Sequence, residues 1–558
     1  MLVMFCLISF PVFSQKTYLE LNLNAEHSGN PFVKPKPPFE VFRVLERAAN
    51  DKSIKGIILN IASVPGGKDY MWELRSAMEQ FKAKGKKICA FISNADIDVY
   101  CLASVADKIV MDDLGSLNIL GYAIGRGYAR NALDKLGIGV RELRYFEYKS
   151  ASETYTRDSM SEADRRQYGD YLDDTFNFTR DTLKNARNWT DDKFNSVLNN
   201  EFIYSAKGAR EHGLIDFTGG RDAVLQAVKE IEGTDVNSFK LYGSSDSSLM
   251  GDNPAYSPPK ARSFFGKRPP IIAVVYASGE TSMTKGMEAI KLAKTICELG
   301  NKTNVKAIVL RVNSPGGSAE AADLVDNAVR YAKMFKPVVV SMGQVAASGG
   351  YWVAMNASHI VANPYSITGS IGVIGSWFYD NGINGKLGIN VDTIQRGSHA
   401  DLRTGFLFPR RNLTDLEEKR YSEYIIDLYH VFTEKAASGR NMTLEEIEAA
   451  AQGRIFSGLR AEKEGLVDST GGLSDALRIA LELAEIPKKR AVKYEEYPKP
   501  KFIEKLLDSL PMASVFFAGS KKAQTVEFFA DFLLPNVNLR YRLENNGKVM
   551  PILPLDFK

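Results

Sequence analysis

Residues Met342–Gly375 read MGQVAASGGYWVAMNASHIVANPYSITGSIGVIG. A β-like run, Pro337-Val338-Val339-Val340, leads into this stretch, and a serine follows between small residues, Ala346-Ala347-Ser348-Gly349-Gly350. Next come an apolar run, Tyr351 to Ala354, and a second short strand, His359-Ile360-Val361-Ala362. A strand, a serine at a glycine-flanked corner and then a helix form a geometry that exposes a nucleophile beside free backbone N–H groups. The GxSxG elbow of α/β-hydrolases is absent. Small residues ahead of a helix also serve close packing alone, so the motif by itself leaves chemistry and packing both open.

The surroundings repeat, which is the strongest organisational fact in the sequence. Lys55-Gly56-Ile57-Ile58-Leu59-Asn60-Ile61 matches Lys306-Ala307-Ile308-Val309-Leu310-Arg311-Val312, and Pro65-Gly66-Gly67 matches Pro315-Gly316-Gly317. Asp107-Lys108-Ile109-Val110 matches Ser358-His359-Ile360-Val361, and Gly213-Leu214-Ile215-Asp216 matches Gly465-Leu466-Val467-Asp468. The offset stays near about 250 residues, too regular for chance. Short apolar strands alternate with helical stretches in each half. Phe39–Ala49 and Met71–Lys84 read as helices around a strand at Gly56–Ile61, and Lys87–Ile92 reads as the next strand. Strands alternating with crossover helices specify parallel sheets. We therefore expect two tandem α/β domains, residues 17–235 and 268–486, joined by a Ser-, Gly-, Asp- and Pro-rich linker at 236–267. Met160–Asn188 and Leu413–Ser438 read as long helices packed on or between the domains. Residues 487–558 form a C-terminal extension with apolar helical stretches at Lys501–Leu510 and Val526–Leu534. Residues 1–16 are an apolar stub, the remnant of a signal or an anchor, and too short to span a bilayer.

Composition narrows the function classes. The chain has 558 residues, 71 basic and 67 acidic, for a formal charge of +4 with no basic stripe, so nucleic acid is not expected as a partner. Four scattered cysteines (Cys6, Cys89, Cys101 and Cys297) and five histidines without HExxH give neither a disulfide framework nor a metal motif. No metal or cofactor is implied.

The duplication acts as an internal control. Ile97 falls opposite Ser348, and Asp98-Val99 opposite Gly349-Gly350, so the first copy lacks both the serine and the glycines. In the segment Glu147-Tyr148-Lys149-Ser150-Ala151, Lys149 stands where the second copy has Ala400. A lysine serves as a base only when burial or nearby positive charge keeps it neutral, and it then takes a serine proton directly. The first domain would thus supply the lysine and the second the serine. His399 is the rival base, with Asp401 as a nearby carboxylate, while His359 reads as an edge or surface residue.

With these residues in hand, the chain resembles the signal peptide peptidase A (protease IV) family in its long, duplicated form. The resemblance covers about residues 39–486. It rests on Asn313-Ser314-Pro315-Gly316-Gly317, Ala346–Trp352, Thr368-Gly369-Ser370-Ile371-Gly372 and Tyr148-Lys149-Ser150-Ala151. The resemblance implies tandem domains of the caseinolytic protease/crotonase type with parallel sheets. It implies Ser348 as nucleophile, Lys149 as general base and Ser370 as the hydroxyl that aims the amine. Backbone N–H groups of Gly316, Gly317 and Gly349 would form the oxyanion hole. It further implies hydrophobic peptide substrates, including cleaved signal peptides, a homotetramer, and a bacterial cytoplasmic membrane surface with the catalytic domains facing the periplasm or exterior. A crotonase-like acyl-CoA enzyme, using the cradle without a serine nucleophile, and a non-catalytic membrane scaffold are the alternatives.

Overall fold

Strands whose residues are apolar on both faces must be covered on both faces, and that condition favours parallel sheets with helical crossovers. The computed structural model of the chain describes residues 16–23, 39–52, 54–61, 66–233, 239–242, 269–487 and 490–498. Residues 1–15 of the N-terminal apolar stub, most of the linker and the two apolar stretches of the tail lie outside these residues. Among the described residues, no helix is long and apolar enough to cross a membrane.

Two compact units emerge, Met1–Gly121 with Phe178–Lys260, and Tyr122–Asn177 with Ala261–Lys558. The sequence repeat suggested boundaries at 17–235 and 268–486, but the packing follows a different division. Residues 122–177, and with them Lys149, belong to the second unit although they lie within the first repeat. The physical reason is a long excursion between strands. It leaves the first sheet after Asn118 and returns through the helix Glu162–Arg187, so its apolar side chains are free to bury elsewhere.

The first unit holds a seven-stranded sheet in the order Ile203–Ser205, Lys108–Asn118, Lys87–Asp96, Ile54–Ile61, Lys16–Asn22, Phe239–Tyr242, with Phe217–Thr218 beside Lys108–Asn118. All its pairings are parallel except that of Ile203–Ser205. The second unit repeats the pattern with eight strands. The order is Ile455–Ser457, Ile367–Gly369, Val338–Ala347, Val305–Ser314, Ile271–Ser278, Lys493–Tyr497, with His359–Ala362 and Ser469–Thr470 to the side. Lys493–Tyr497, from the start of the extension beyond residue 486, closes this sheet against Ile271–Ser278. In Val338–Ala347 every residue but Gln344 is buried. Helices Ala289–Asn301, Ala319–Lys333 and Leu473–Leu483 lay their apolar stripes on the sheet, for example Leu292, Ile296 and Leu299 at helical spacing.

Side chains carry the repeat as clearly as the strands do. Tyr100 Oη donates to Leu214 O at 2.7 Å, and Tyr351 Oη to Leu466 O at 2.9 Å. Asp216 Oδ2 accepts from Ile109 N, and Asp468 Oδ2 from Ile360 N. Lys86 and Lys336 each tie together carbonyls at the entry to the second strand of their sheet. These pairs fix the register in which Ile97 corresponds to Ser348.

Candidate active site

Ser348 ends the strand Val338–Ala347 and immediately precedes the short helix Gly349–Trp352. Its backbone lies at φ 59°, ψ −117°, a sparsely populated region for a residue with a side chain. The turn is held because Ser348 N donates to Gly369 O at 2.9 Å and Ser348 O accepts from Trp352 N. Ser370 follows Gly369 and also has positive φ, its N–H donating to Arg454 O at 2.7 Å. The strand Ile367–Gly369 therefore locates both serines, with Ala347 paired to Gly369 on one edge and Ile455 on the other.

Lys149 arrives on the loop between the strand Ile138–Leu143 and the short helix Glu153–Thr156. Its Nζ lies 2.8 Å from Ser348 Oγ, 2.7 Å from Ser370 O and 2.9 Å from Ser370 Oγ. The lysine is 1% exposed, Ser348 0% and Ser370 1%, so the three meet out of reach of bulk water. The loop passes so close to Gly453 that a Cβ there would sit 2.6–2.7 Å from Lys149 Cβ, Cα and N, and Gly453 has φ +81°. Tyr148 N donates to Gln452 O, and Phe146 stacks on Tyr429 at 3.9 Å between centroids, which seats the loop on the same unit.

Burial lowers the Lys149 pKa well below its ordinary value, because the charged ammonium loses its hydration. The hydrogen bonds suit the neutral amine. Nζ lies within donating distance of all three oxygens, and a neutral amine that donates to Ser370 O and Ser370 Oγ keeps a lone pair for the Ser348 hydroxyl proton. A serine hydroxyl and a deprotonated amine in contact, without water, can transfer a proton in one step.

The glycines divide in their roles. Gly349 is the first residue of its helix, where no carbonyl four residues earlier accepts its N–H. A Cβ on Gly349 would meet Gly316 Cα and Gly317 N at 3.2 Å, so the two backbones approach as only glycines permit. Gly316 differs from expectation: its N–H donates to Ser314 Oγ at 3.3 Å and its carbonyl accepts from Thr281 N. It shapes the turn, which brings the Gly317 backbone beside Gly349. Thr281 and Ser314, both buried and 3.1 Å apart through their hydroxyls, brace this turn. Sequence reading passed over them. Ser314 sits inside the quoted motif, but Thr281 had no local signal.

His399 goes elsewhere. Its Nδ1 lies 2.7 Å from Glu417 Oε1, and its side chain is 53% exposed. Arg411 bridges Glu417 and Asp401 and holds the Glu417 carboxyl far below the usual range, so this cluster reads as a surface ion-pair network. His359 Nε2 pairs with Ser469 Oγ at 2.9 Å.

The sequence matches the family model described as Peptidase family S49 over residues 80–235 and 330–487, once in each repeat. A Clp protease family model matches residues 279–363. The chloroplastic serine protease SPPA of Arabidopsis thaliana is 31% identical over 470 residues, which cover 81% of this chain and 67% of that protein. Protease 4 of Salmonella typhi is 31% identical over 494 residues, 85% of this chain and 76% of that protein. Among solved structures, the ClpP catalytic domain of Plasmodium falciparum aligns at 16% identity and TM-score 0.24, covering 35% of this chain and 83% of that one. With a matching region in each half and relatives similar over most of their length, the chain belongs to peptidase family S49 and is a serine peptidase.

Proposed function

We propose that Ser348 and Lys149 form a catalytic dyad that hydrolyses peptide bonds in unfolded, apolar chains. The observation that carries this reading is the buried contact of Lys149 Nζ with Ser348 Oγ at 2.8 Å, with Ser370 accepting the amine's other hydrogens. Neutral Lys149 takes the Ser348 proton as Oγ attacks the scissile carbonyl carbon. The carbonyl oxygen becomes an oxyanion that the Gly317 and Gly349 N–H groups stabilise. The resulting ammonium returns its proton to the leaving amine, and the C–N bond breaks to give an acyl-enzyme. Water, deprotonated by the same amine, then releases the acid and regenerates the serine.

Ser370 keeps the amine aimed at Ser348 throughout. Substrates are apolar peptides with small side chains before the cut, cleaved signal peptides among them, met at a membrane surface. The chain works as a homotetramer whose catalytic domains face the periplasm or exterior of a bacterial membrane. Support for the substrate class comes from the small residues beside the nucleophile, and the assembly and location rest on the family resemblance alone.

A fluorophosphonate probe tests the dyad. Labelling of Ser348, located by mass spectrometry, together with cleavage of an apolar peptide is the expected result. Peptide cleavage that persists at the parent rate in Ser348→Ala would overturn it. Cut sites that require Arg, Lys, Asp or Glu would overturn the substrate class alone.

A further inference from the structure

The Lys149 loop approaches the two serines from a different part of the sequence, so something must set the gap between loop and strand. Gln167, on the helix Glu162–Arg187 and 1% exposed, spans it. Its Nε2 lies 3.1 Å from Tyr148 O, 3.1 Å from Ser150 Oγ and 3.0 Å from Asp164 Oδ1, so it grips the residues on both sides of Lys149. Its Oε1 accepts from Ile455 N at 3.2 Å. Ile455 pairs with Gly369, whose carbonyl holds Ser348 N and whose next residue is Ser370. One carboxamide thus joins the base-bearing loop to the strand Ile455–Ser457, which pairs with the strand that places both serines.

The surroundings keep Gln167 rigid. Ser150 Oγ donates to Asp164, which is ion-paired with Arg126, and the side chains of that pair are 0% and 3% exposed. On the same helix face, Asp170 pairs with Arg454 at 2.6 Å, Tyr171 Oη donates to Tyr365 O at 3.0 Å, and Asp174 binds Ser457 and Arg460. These partners anchor the helix against the Arg454–Ser457 segment, with Gln167 one turn before Asp170 and Tyr171. The helix therefore cannot shift to compensate for a lost carboxamide.

We infer that Gln167 is a positioning residue that holds the Lys149 amine at proton-transfer distance from Ser348 and closed to water. This rests on the Ser348–Lys149 reading. Without the carboxamide, the Tyr148 carbonyl and the Ile455 N–H lose their shared partner, and the loop loses its side-chain tie to the strand Ile455–Ser457. The amine then sits farther from Ser348 and meets water, which favours its charged form.

The test is Gln167→Met, close in size and without hydrogen-bonding groups, measured in the full chain on an apolar fluorogenic peptide across pH. Expected are a roughly 10- to 100-fold fall in kcat with KM little changed, and a shift of the acidic limb of the profile upward by about one pH unit. A core-packing role would lower the melting temperature without moving that limb. A limb at the parent pH, or a parent kcat, overturns the inference. Should Gln167→Met not fold, Gln167→Leu carries the same test, since it also removes the carboxamide and adds no charge beside Asp164. Fluorophosphonate labelling of the parent separates the two failures. A parent that is not labelled at Ser348 sinks the dyad itself, whereas a labelled parent with an unaffected Gln167→Met sinks only the role of Gln167.

Discussion

At the ends of Lys87–Asp96 and Val338–Ala347 the chain makes the same strand-to-helix corner and fills it differently. In the first copy Asp96 caps the helix, its Oδ1 accepting from Asp98 N at 3.0 Å and Val99 N at 2.9 Å. In the second copy those positions are Gly349 and Gly350, and Ser348 makes no side-chain cap. A carboxylate thus occupies in one repeat a helix N-terminus that the other leaves without a side-chain cap. The lysine position shows the reverse economy. Lys149 is buried to 1% exposure, whereas Ala400 lies in an exposed 3-10 turn. The duplicated scaffold supplies a helix N-terminus at this corner in both copies, and local substitutions decide whether a carboxylate of the protein caps it. The two residues that meet, Lys149 and Ser348, come accordingly from different repeats and pack within one unit.

The largest effects should come from breaking the second corner. Ser348→Ala and Lys149→Met are each expected to lower kcat on an apolar peptide by about 1,000-fold or more while leaving circular dichroism unchanged. Lys149→Arg should be as inactive, because guanidinium stays protonated at any working pH.

The buried amine also sets a stability signature. Its folded pKa is depressed below the unfolded value near about 10.4. The unfolded chain therefore binds the extra proton between the two values, and stability rises with pH through that window. Below it the cost of burying Lys149 is full; above about pH 10.4 it is gone. In urea titrations, the stability of Lys149→Met relative to the parent should be most favourable at neutral pH and decline steadily as pH approaches 10. A constant difference across that range would mean that Lys149 keeps an ordinary pKa.

A milder change is expected at Ser370→Ala, which removes one of the two acceptors of the amine and leaves the backbone carbonyl. Initial-rate kinetics should show a loss of roughly 10- to 100-fold. The smallest effect concerns the first corner. Asp96→Ala should cost about 1 kcal/mol of stability through loss of the cap, and peptidase activity should stay at the parent level. A large loss of activity there would mean that the first corner is not merely a closed copy.

Much of this was legible before any coordinates. The apolar runs gave the strands, and the repeat gave two domains with parallel sheets. The contrast of Ile97 with Ser348 singled out the serine, and Lys149 followed from its mismatch with Ala400. What the residues could not disclose was nonlocal. Repeats mark where elements recur, but the unit on which residues 122–177 pack is decided by surfaces hundreds of residues away, such as Gly453 beside Lys149 and Tyr429 beside Phe146. Gly316 looked equivalent to Gly317 until Ser314 Oγ was found to accept its N–H. Gln167, Asp170 and Asp174 share one helix face by spacing, yet in the sequence they are three polar residues among many on a charged helix.

The neutrality of Lys149 is the claim on which the mechanism turns, and the rate of Ser348 acylation by a fluorophosphonate as a function of pH tests it most directly. The dyad predicts that the rate rises through a single ionisation well below that of free lysine, at about 10.4, and that this limb disappears with the acylation itself in Lys149→Met. A limb centred near the free-lysine value, or acylation of Lys149→Met at the parent rate, would contradict it.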